Sequence, residues 1–97
     1  MKKGYWIVAY RSVSDEEAVR RYGALAVLAI EAHGGRTLVR TSDTIEPHES
    51  GLKQRTVVTE YESFAKAKEA YESEAYQTAL KALDSAADRD FRIVEGV

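Results

Sequence analysis

The alternation of apolar and polar positions begins with a short segment that predicts a β-strand. Gly4 to Arg11 reads Gly-Tyr-Trp-Ile-Val-Ala-Tyr-Arg, which is rich in aromatic and β-branched residues and too short for a typical helix. Both alternating sets of side chains are largely apolar. This pattern is typical of a strand that is covered on both faces.

A helix is predicted to follow, with a start signal and a stop signal. Ser14-Asp15-Glu16-Glu17 has the form of a capping box, in which Ser14 accepts from the Glu17 amide and Glu17 reaches back to the Ser14 amide. The helix should run to about His33 and end at Gly34-Gly35. Its second half is almost entirely apolar, so it should either pack on two sides or offer apolar surface to a partner.

The rest of the chain alternates between strand-like and helix-like patterns. A turn-rich segment, residues 43–53, separates two segments rich in valine and threonine. Ser63 and Ser73 are predicted to cap two successive helices. The predicted elements are strands Arg36–Ser42 and Gln54–Tyr61, helices Phe64–Glu72 and Glu74–Ala87, and a last strand Phe91–Val94.

The order β-α-β-β-α(α)-β predicts an α+β, ferredoxin-like domain that spans residues 1–97 and has a four-stranded antiparallel sheet. Such a sheet carries helices on one face only. Its other face is not fully polar here, whichever set of first-strand residues it displays. We therefore expect a homodimer in which two copies pair sheet against sheet.

Composition excludes several classes of function. Fourteen basic and sixteen acidic residues give a net charge of −2, which argues against a protein that binds nucleic acid by neutralising phosphates. The absence of cysteine excludes disulfides and thiolate metal centres. No apolar run approaches the ~20 residues of a membrane span and no secretory leader is recognisable, so we expect no membrane interaction and a cytoplasmic location.

Charged residues within the strands are the most informative candidates for a site. Pairing across the middle hairpin should bring Arg40 near Glu60 if the turn centres near Ser50. Such a cluster is either an ion pair that fixes the hairpin register or an anchor for an anionic ligand. In the expected arrangement Val39, Val57, Tyr61, Phe91 and Ile93 face the helices, and Arg40, Thr56, Val58, Glu60, Arg92 and Val94 face the other side.

The other polar residues give weaker signals. His33 lies in the last turn of the first predicted helix, which suits a solvated cap, and it is a candidate base alongside Glu60. Six tyrosines are expected in the core with one polar end each, and Tyr22, Tyr71 and Tyr76 are candidates for lining a pocket. No metal-binding motif is present, and we expect neither a metal nor a cofactor.

Several segments together resemble the family called "domain of unknown function 1330". The resemblance implies a dimeric α/β barrel of ferredoxin-like protomers and no established activity. Barrels of this kind include cofactor-independent monooxygenases and isomerases. The chain contains no asparagine, so the Asn-Trp-His set of the haem-degrading barrels cannot be assembled. The segments that carry the resemblance are Gly4-Tyr5-Trp6-Ile7, Gly34-Gly35 with Arg36-Thr37-Leu38-Val39-Arg40, Val57-Val58-Thr59-Glu60-Tyr61, Ala70-Tyr71-Glu72-Ser73-Glu74-Ala75-Tyr76-Gln77 and Ile93-Val94-Glu95-Gly96.

Two functional hypotheses follow. In the first, the homodimer binds a small, partly apolar or anionic molecule in a cleft, and it could be an oxygenase-like or isomerase-like enzyme that needs no cofactor. Arg40 would anchor the anion, with Tyr22, Tyr71, Tyr76 and Arg92 around it and His33 or Glu60 as base. In the second, the protein is a non-catalytic interaction module whose strand charges only specify the dimer. A filled cleft with Arg40 and Glu60 paired to each other would favour the second.

Overall fold

Four strands and three helices follow one another in the order predicted from the sequence. The computed structural model describes all 97 residues. The sheet order is β2-β3-β1-β4 with every neighbouring pair antiparallel, which confirms the ferredoxin-like α+β fold. The elements are β1 Gly4–Val13, α1 Glu16–Ala32, β2 Arg36–Thr41, β3 Thr56–Tyr61, α2 Phe64–Glu72, α3 Glu74–Leu83 and β4 Ala87–Glu95.

The helices cover one face of the sheet. Along β1, Trp6, Val8 and Tyr10 are buried on the helix side, whereas Tyr5 and Ile7 are only half-buried on the other side. The molecule measures 31 × 31 × 17 Å, so its thin dimension holds one sheet and one helix layer. We call the uncovered side the open face; its side chains are Tyr5, Ile7, Ala9, Arg36, Val39, Thr41, Thr56, Val58, Glu60, Asp90, Arg92 and Val94.

An aromatic cluster around Trp6 joins the two layers. The Trp6 indole is almost fully buried and donates a hydrogen bond of 2.8 Å from Nε1 to the carbonyl of Ala67 in α2. Its ring lies 5.1 Å from Tyr61, 4.8 Å from Tyr76 and 5.2 Å from Phe91 between centroids. These contacts fix helices α2 and α3 on the sheet and define one end of the helix-facing core.

The helix caps differ from the sequence prediction at one position. Asp15, not Ser14, is the N-cap of α1, and its carboxylate accepts from the amides of Glu17 and Ala18 at 3.0 and 3.2 Å. The Ser14 hydroxyl instead donates to the carbonyl of Ala86 at 3.2 Å. Both residue types are good caps, and the contact of Ser14 with the turn before β4 decides between them.

The predicted helix ends at Ser63, Ser73 and Gly34 are confirmed. The side chains of Ser63 and Ser73 accept from the amides of Lys66 and Tyr76, so each serine caps its helix. At the end of α1, Gly34 adopts a φ of 72°, the left-handed conformation that glycine takes without strain. No helix is both long and apolar enough to cross a membrane.

The register of the β2–β3 hairpin corrects a prediction. Glu60 pairs with Arg36 and Val57 pairs with Arg40, so Arg40 and Glu60 are not neighbours. A bulge between Thr37 and Val39 shifts the pairing by one residue. After such a bulge every side chain changes face, so Arg40 points to the helix side and Val39 belongs to the open face.

The last strand is longer than predicted. Helix α3 ends at Leu83, and Asp84 has a φ of 50°, which turns the chain out of the helix. Strand β4 then begins at Ala87 instead of Phe91. The extra residues pair with the end of β1 across a second bulge and bring Arg89 into the sheet.

Candidate functional site

A cleft of about 530 Å³ lies between α1 and the helix-facing side of the sheet. This volume is within the range of roughly 300–1,000 Å³ that is typical of small-molecule sites. Small residues of α1, including Gly23 and Ala26, line the cleft and leave the space that larger side chains would fill. The sheet contributes mainly apolar and aromatic side chains: Trp6, Val8, Tyr10, Val57 and Phe91.

The charged side chains of the cleft are mostly arginines. Four arginines and one acid, Glu16, line it. Arg20 bonds to Glu17 on the same helix, whereas the other three have no carboxylate within ion-pair distance. The arginines without such a partner are Arg40, Arg55 and Arg89.

Most arginines outside the cleft form ion pairs with carboxylates. Arg36 is 3.2 Å from Glu60, and Arg11 and Arg92 are 3.0 and 3.1 Å from Asp90. Only Arg21, on the exposed side of α1, resembles the cleft arginines in having no acidic partner. Because a guanidinium remains charged at all ordinary pH values, the cleft carries uncompensated positive charge on apolar walls.

Arg89 is held by tyrosine hydroxyls and aromatic rings. Its Nη1 donates to the Tyr22 hydroxyl at 3.0 Å, and its Nη2 lies 3.5 Å from the Tyr76 hydroxyl. The guanidinium carbon lies 4.8 Å from the centroid of Tyr22 and 5.3 Å from that of Phe91. Cation–π contacts of this kind fix a guanidinium without neutralising it.

Arg55 approaches the cleft from the loop before β3. Its guanidinium carbon lies 5.2 Å from the centroid of the Tyr10 ring, and Arg89 lies 5.4 Å from the same ring. The Nε atom of Arg55 is buried and has no hydrogen-bond partner. A buried donor without an acceptor is unfavourable, so the Arg55 guanidinium is not fully satisfied within the protein.

The phenols of Tyr22, which lines the cleft, and of Tyr76 behind it remain protonated at neutral pH. Burial raises the pKa of Tyr22, although the nearby Arg89 charge opposes that effect. Burial likewise raises the pKa of Tyr76. Neither phenol is therefore poised to act as a base, and the two hydroxyls lie only 2.6 Å apart in a direct hydrogen bond.

One protein family matches almost the whole chain, including every residue that lines the cleft. The model of the family described as "Domain of unknown function (DUF1330)" matches residues 3–97. The chain belongs to the DUF1330 family. No protein with a curated description matches the DUF1330 chain.

Solved structures show the same fold at low sequence identity. A protein of unknown function from Rhodopseudomonas palustris superposes with a TM-score of 0.71 at 18% identity, covering 99% of this chain and 83% of its own. SnoaB from Streptomyces nogalater, a cofactor-independent oxygenase solved as a variant, gives 0.65 at 9% identity over 97% and 92%. An ethyl tert-butyl ether d family protein from Bacillus halodurans gives 0.60 at 14% identity over 100% of both chains. These likenesses show that the DUF1330 chain shares their fold, and identities this low show nothing more.

The predicted site residues fall into two groups in the DUF1330 structure. Arg40 and Tyr22 line the cleft, and Tyr76 lies directly behind Tyr22. Tyr71 does not line it but packs against Tyr76 and Phe91, 5.2 and 5.1 Å between centroids. The structure thus brings together three of the predicted residues on the helix side.

Glu60 and Arg92 lie on the open face, away from the cleft. Glu60 accepts from the Tyr5 hydroxyl at 3.0 Å as well as from Arg36, and this bond raises the pKa of Tyr5. Arg92 forms two hydrogen bonds with Asp90, and these lower the pKa of the Asp90 carboxyl. The predicted cluster of Arg40, Glu60 and Arg92 is therefore wrong, because the bulge in β2 sends Arg40 to the opposite side.

His33 is remote from the cleft. It borders a shallow polar groove against α2, lined by Lys68, Glu69, Glu72 and Ser73, and its Nδ1 hydrogen bonds with the Ala29 carbonyl at 2.8 Å. That groove has a single apolar lining residue, and the charged side chains that line it form ion pairs with neighbouring residues of α2. No group of three His, Cys, Asp or Glu side chains could hold a metal ion.

Sequence reasoning missed Arg55 and Arg89. Both obey the alternation of the strand they precede or begin: Arg55, Val57 and Thr59 share one side, as do Arg89 and Phe91. Arg55 lies within the predicted strand Gln54–Tyr61 on the same side as Val57, so alternation alone places it on the helix-facing side. Extending the last predicted strand backwards by two residues would place Arg89 there as well.

Proposed function

We propose that the cleft binds a small molecule with an apolar body and an anionic group. One observation carries the proposal: Arg40, Arg55 and Arg89 line a mainly apolar cleft without any carboxylate partner. Guanidiniums without a carboxylate partner on apolar walls favour the binding of an anionic ligand, because such a ligand forms charge-assisted hydrogen bonds with them. An open cleft, together with the separation of Arg40 from Glu60, supports ligand binding over a purely structural role for these charges.

Cofactor-independent oxygenase-like chemistry is a second candidate. It is supported by the likeness in fold to SnoaB. It needs a group that accepts a proton from the substrate. The cleft offers Glu16 at its rim, which makes Glu16 the residue to replace first in a search for activity.

The proposed assembly is a homodimer through the open face. Its centre is an apolar row, Val39, Val58 and Ile7, with the Arg36–Glu60 pair on one side and Asp90 and Arg92 on the other. A surface that carries both signs of charge around an apolar centre can match its own copy across a two-fold axis.

A pair of matched probes tests ligand binding. 2-Naphthoate and its neutral amide, 2-naphthamide, share an apolar body and differ in charge. We expect the wild-type protein to bind naphthoate more tightly, by calorimetry or NMR titration. Arg55→Gln should weaken naphthoate about tenfold and leave naphthamide unchanged, because it removes one charge-assisted contact.

The matched control is Arg21→Gln, which removes an exposed arginine outside the cleft. It should not change the affinity for either probe. Equal loss in the two variants would mean that only overall charge matters, and equal binding of both probes by the wild type would remove the anionic part of the proposal.

A further inference from the structure

The hydroxyls of Tyr22 and Tyr76 have one hydrogen more than the protein can accept. Their oxygens are 2.6 Å apart, and Arg89 approaches both, at 3.0 Å from Tyr22 and 3.5 Å from Tyr76. A guanidinium only donates, so both oxygens act as acceptors toward Arg89. One hydroxyl hydrogen forms the bond between the tyrosines, and the other has no acceptor in the protein.

Burial decides which tyrosine carries the free hydrogen. Tyr76 is 0% exposed and lies outside the cleft, whereas Tyr22 lines it. A hydroxyl hydrogen without an acceptor is costly in a closed core and costs little where solvent or ligand can accept it. The lower-cost arrangement has Tyr76 donating to Tyr22, so that Tyr22 accepts from both Tyr76 and Arg89 and its own hydrogen is left for an acceptor in the cleft that Tyr22 lines.

Tyr22 is thus a polarised donor beside a positive charge. Two incoming hydrogen bonds, one from a guanidinium, draw electron density from its oxygen and strengthen the bond that its hydrogen can give. Burial raises the pKa of Tyr22, so the hydrogen is present throughout the physiological range. Since Arg89 is bonded to Tyr22, the free hydroxyl and the charge that attracts an anion lie side by side.

We propose, on the basis of the ligand site proposed above, that the cleft recognises apolar 2-oxo acids through Tyr22. The Tyr22 hydroxyl donates to the ketone oxygen of the ligand, and the adjacent carboxylate pairs with the cleft arginines. Adjacent ketone and carboxylate oxygens match the adjacent donors of Tyr22 and Arg89. The same donor would stabilise negative charge on that oxygen in the enolate form of such a ligand.

Benzoylformate and phenylacetate test this inference, because they share the ring and the carboxylate and differ in the ketone. Tyr22→Phe should weaken benzoylformate about tenfold and leave phenylacetate unchanged within about twofold, as expected for the loss of one hydrogen bond. The ketone ¹³C resonance of labelled benzoylformate should move downfield on binding to the wild type, and this movement should be lost in Tyr22→Phe. Tyr71→Phe, the same change at a tyrosine outside the cleft, should alter neither affinity nor resonance.

The possible outcomes separate the two proposals. If both acids bind the wild type and Tyr22→Phe changes the two affinities by the same factor, the ligand-site proposal stands and the role of Tyr22 is refuted. If neither acid binds the wild type at millimolar concentration although 2-naphthoate does, the 2-oxo acid inference alone is refuted. If 2-naphthoate does not bind either, both proposals are refuted. If Tyr22→Phe does not fold, the wild-type resonance decides, since a bound ketone without a downfield movement has no donor at its oxygen.

Discussion

At the scale of single residues, buried tyrosine hydroxyls fall into satisfied and unsatisfied classes. The Tyr61 side chain is buried, and its hydroxyl has no hydrogen-bond partner, whereas the equally buried Tyr76 hydroxyl bonds to Tyr22 and Arg89. An unpaired polar group in a core is a liability, and a paired one is a net contribution. Replacing each tyrosine with phenylalanine should therefore change the free energy of unfolding in opposite directions at the two positions.

Tyr61→Phe should leave the free energy of unfolding unchanged or raise it by up to about 1 kcal/mol, because the lost hydroxyl made no bond. Tyr76→Phe should lower the free energy of unfolding by about 1–2 kcal/mol. Urea denaturation followed by far-UV circular dichroism measures both. A larger loss for Tyr61→Phe than for Tyr76→Phe would contradict the hydrogen-bond assignment.

At the scale of elements, the start of α1 depends on one carboxylate. Asp15→Ala removes the acceptor for two helix amides and should destabilise the protein by about 1 kcal/mol. Ser14→Ala is the matched control: it loses a hydroxyl whose contacts are with the carbonyls of Ser85 and Ala86 in the turn before β4, and it should cost less. Equilibrium urea titrations compare the two, and the reverse ranking would restore the cap predicted from the sequence.

The elements also show what the sequence could and could not predict. Serine caps, glycine stops and strand alternation are local signals, so the order of elements and the ends at Ser63, Ser73 and Gly34 were predictable. The bulge between Thr37 and Val39 is not a local signal, since the segment alternates equally well in either register. That single extra residue decides whether Arg40 faces the cleft or the open face.

The cleft itself could be predicted only in part. The sequence marks Arg40, Tyr22 and Tyr76 as polar residues within apolar elements. Arg55 is contained in the predicted strand Gln54–Tyr61, but nothing in its sequence pattern marks it as part of a site. Arg89 lies outside the predicted last strand, in the part of β4 that pairs with the end of β1. Pairing with a distant strand extended β4 beyond its own sequence pattern.

At the scale of the whole molecule, the proposed homodimer through the open face is open to a direct test. We expect the wild-type protein to sediment as a dimer at micromolar concentration. Ile7→Asp places a charge at the centre of the apolar row and should yield a monomer with unchanged circular dichroism. Leu28→Asp, an equivalent change at an exposed position of α1, should remain a dimer.

A wild-type protein that sediments as a monomer at micromolar concentration would contradict the homodimer. Dissociation by Leu28→Asp instead of Ile7→Asp would place the interface on α1. Neither result would affect the cleft, which is formed within one chain.

Methyl NMR with 2-naphthoate tests the central claim, that an apolar anion occupies the cleft, most directly. Neighbouring valines of β3 point to opposite sides of the sheet, with Val57 in the cleft and Val58 on the open face. We expect naphthoate to shift the methyl resonances of Val57, Val8 and Val27 and to give intermolecular contacts with them, while Val58 stays unchanged. Shifts confined to Val58 and Ile7, or the absence of any shift at millimolar naphthoate, would contradict it.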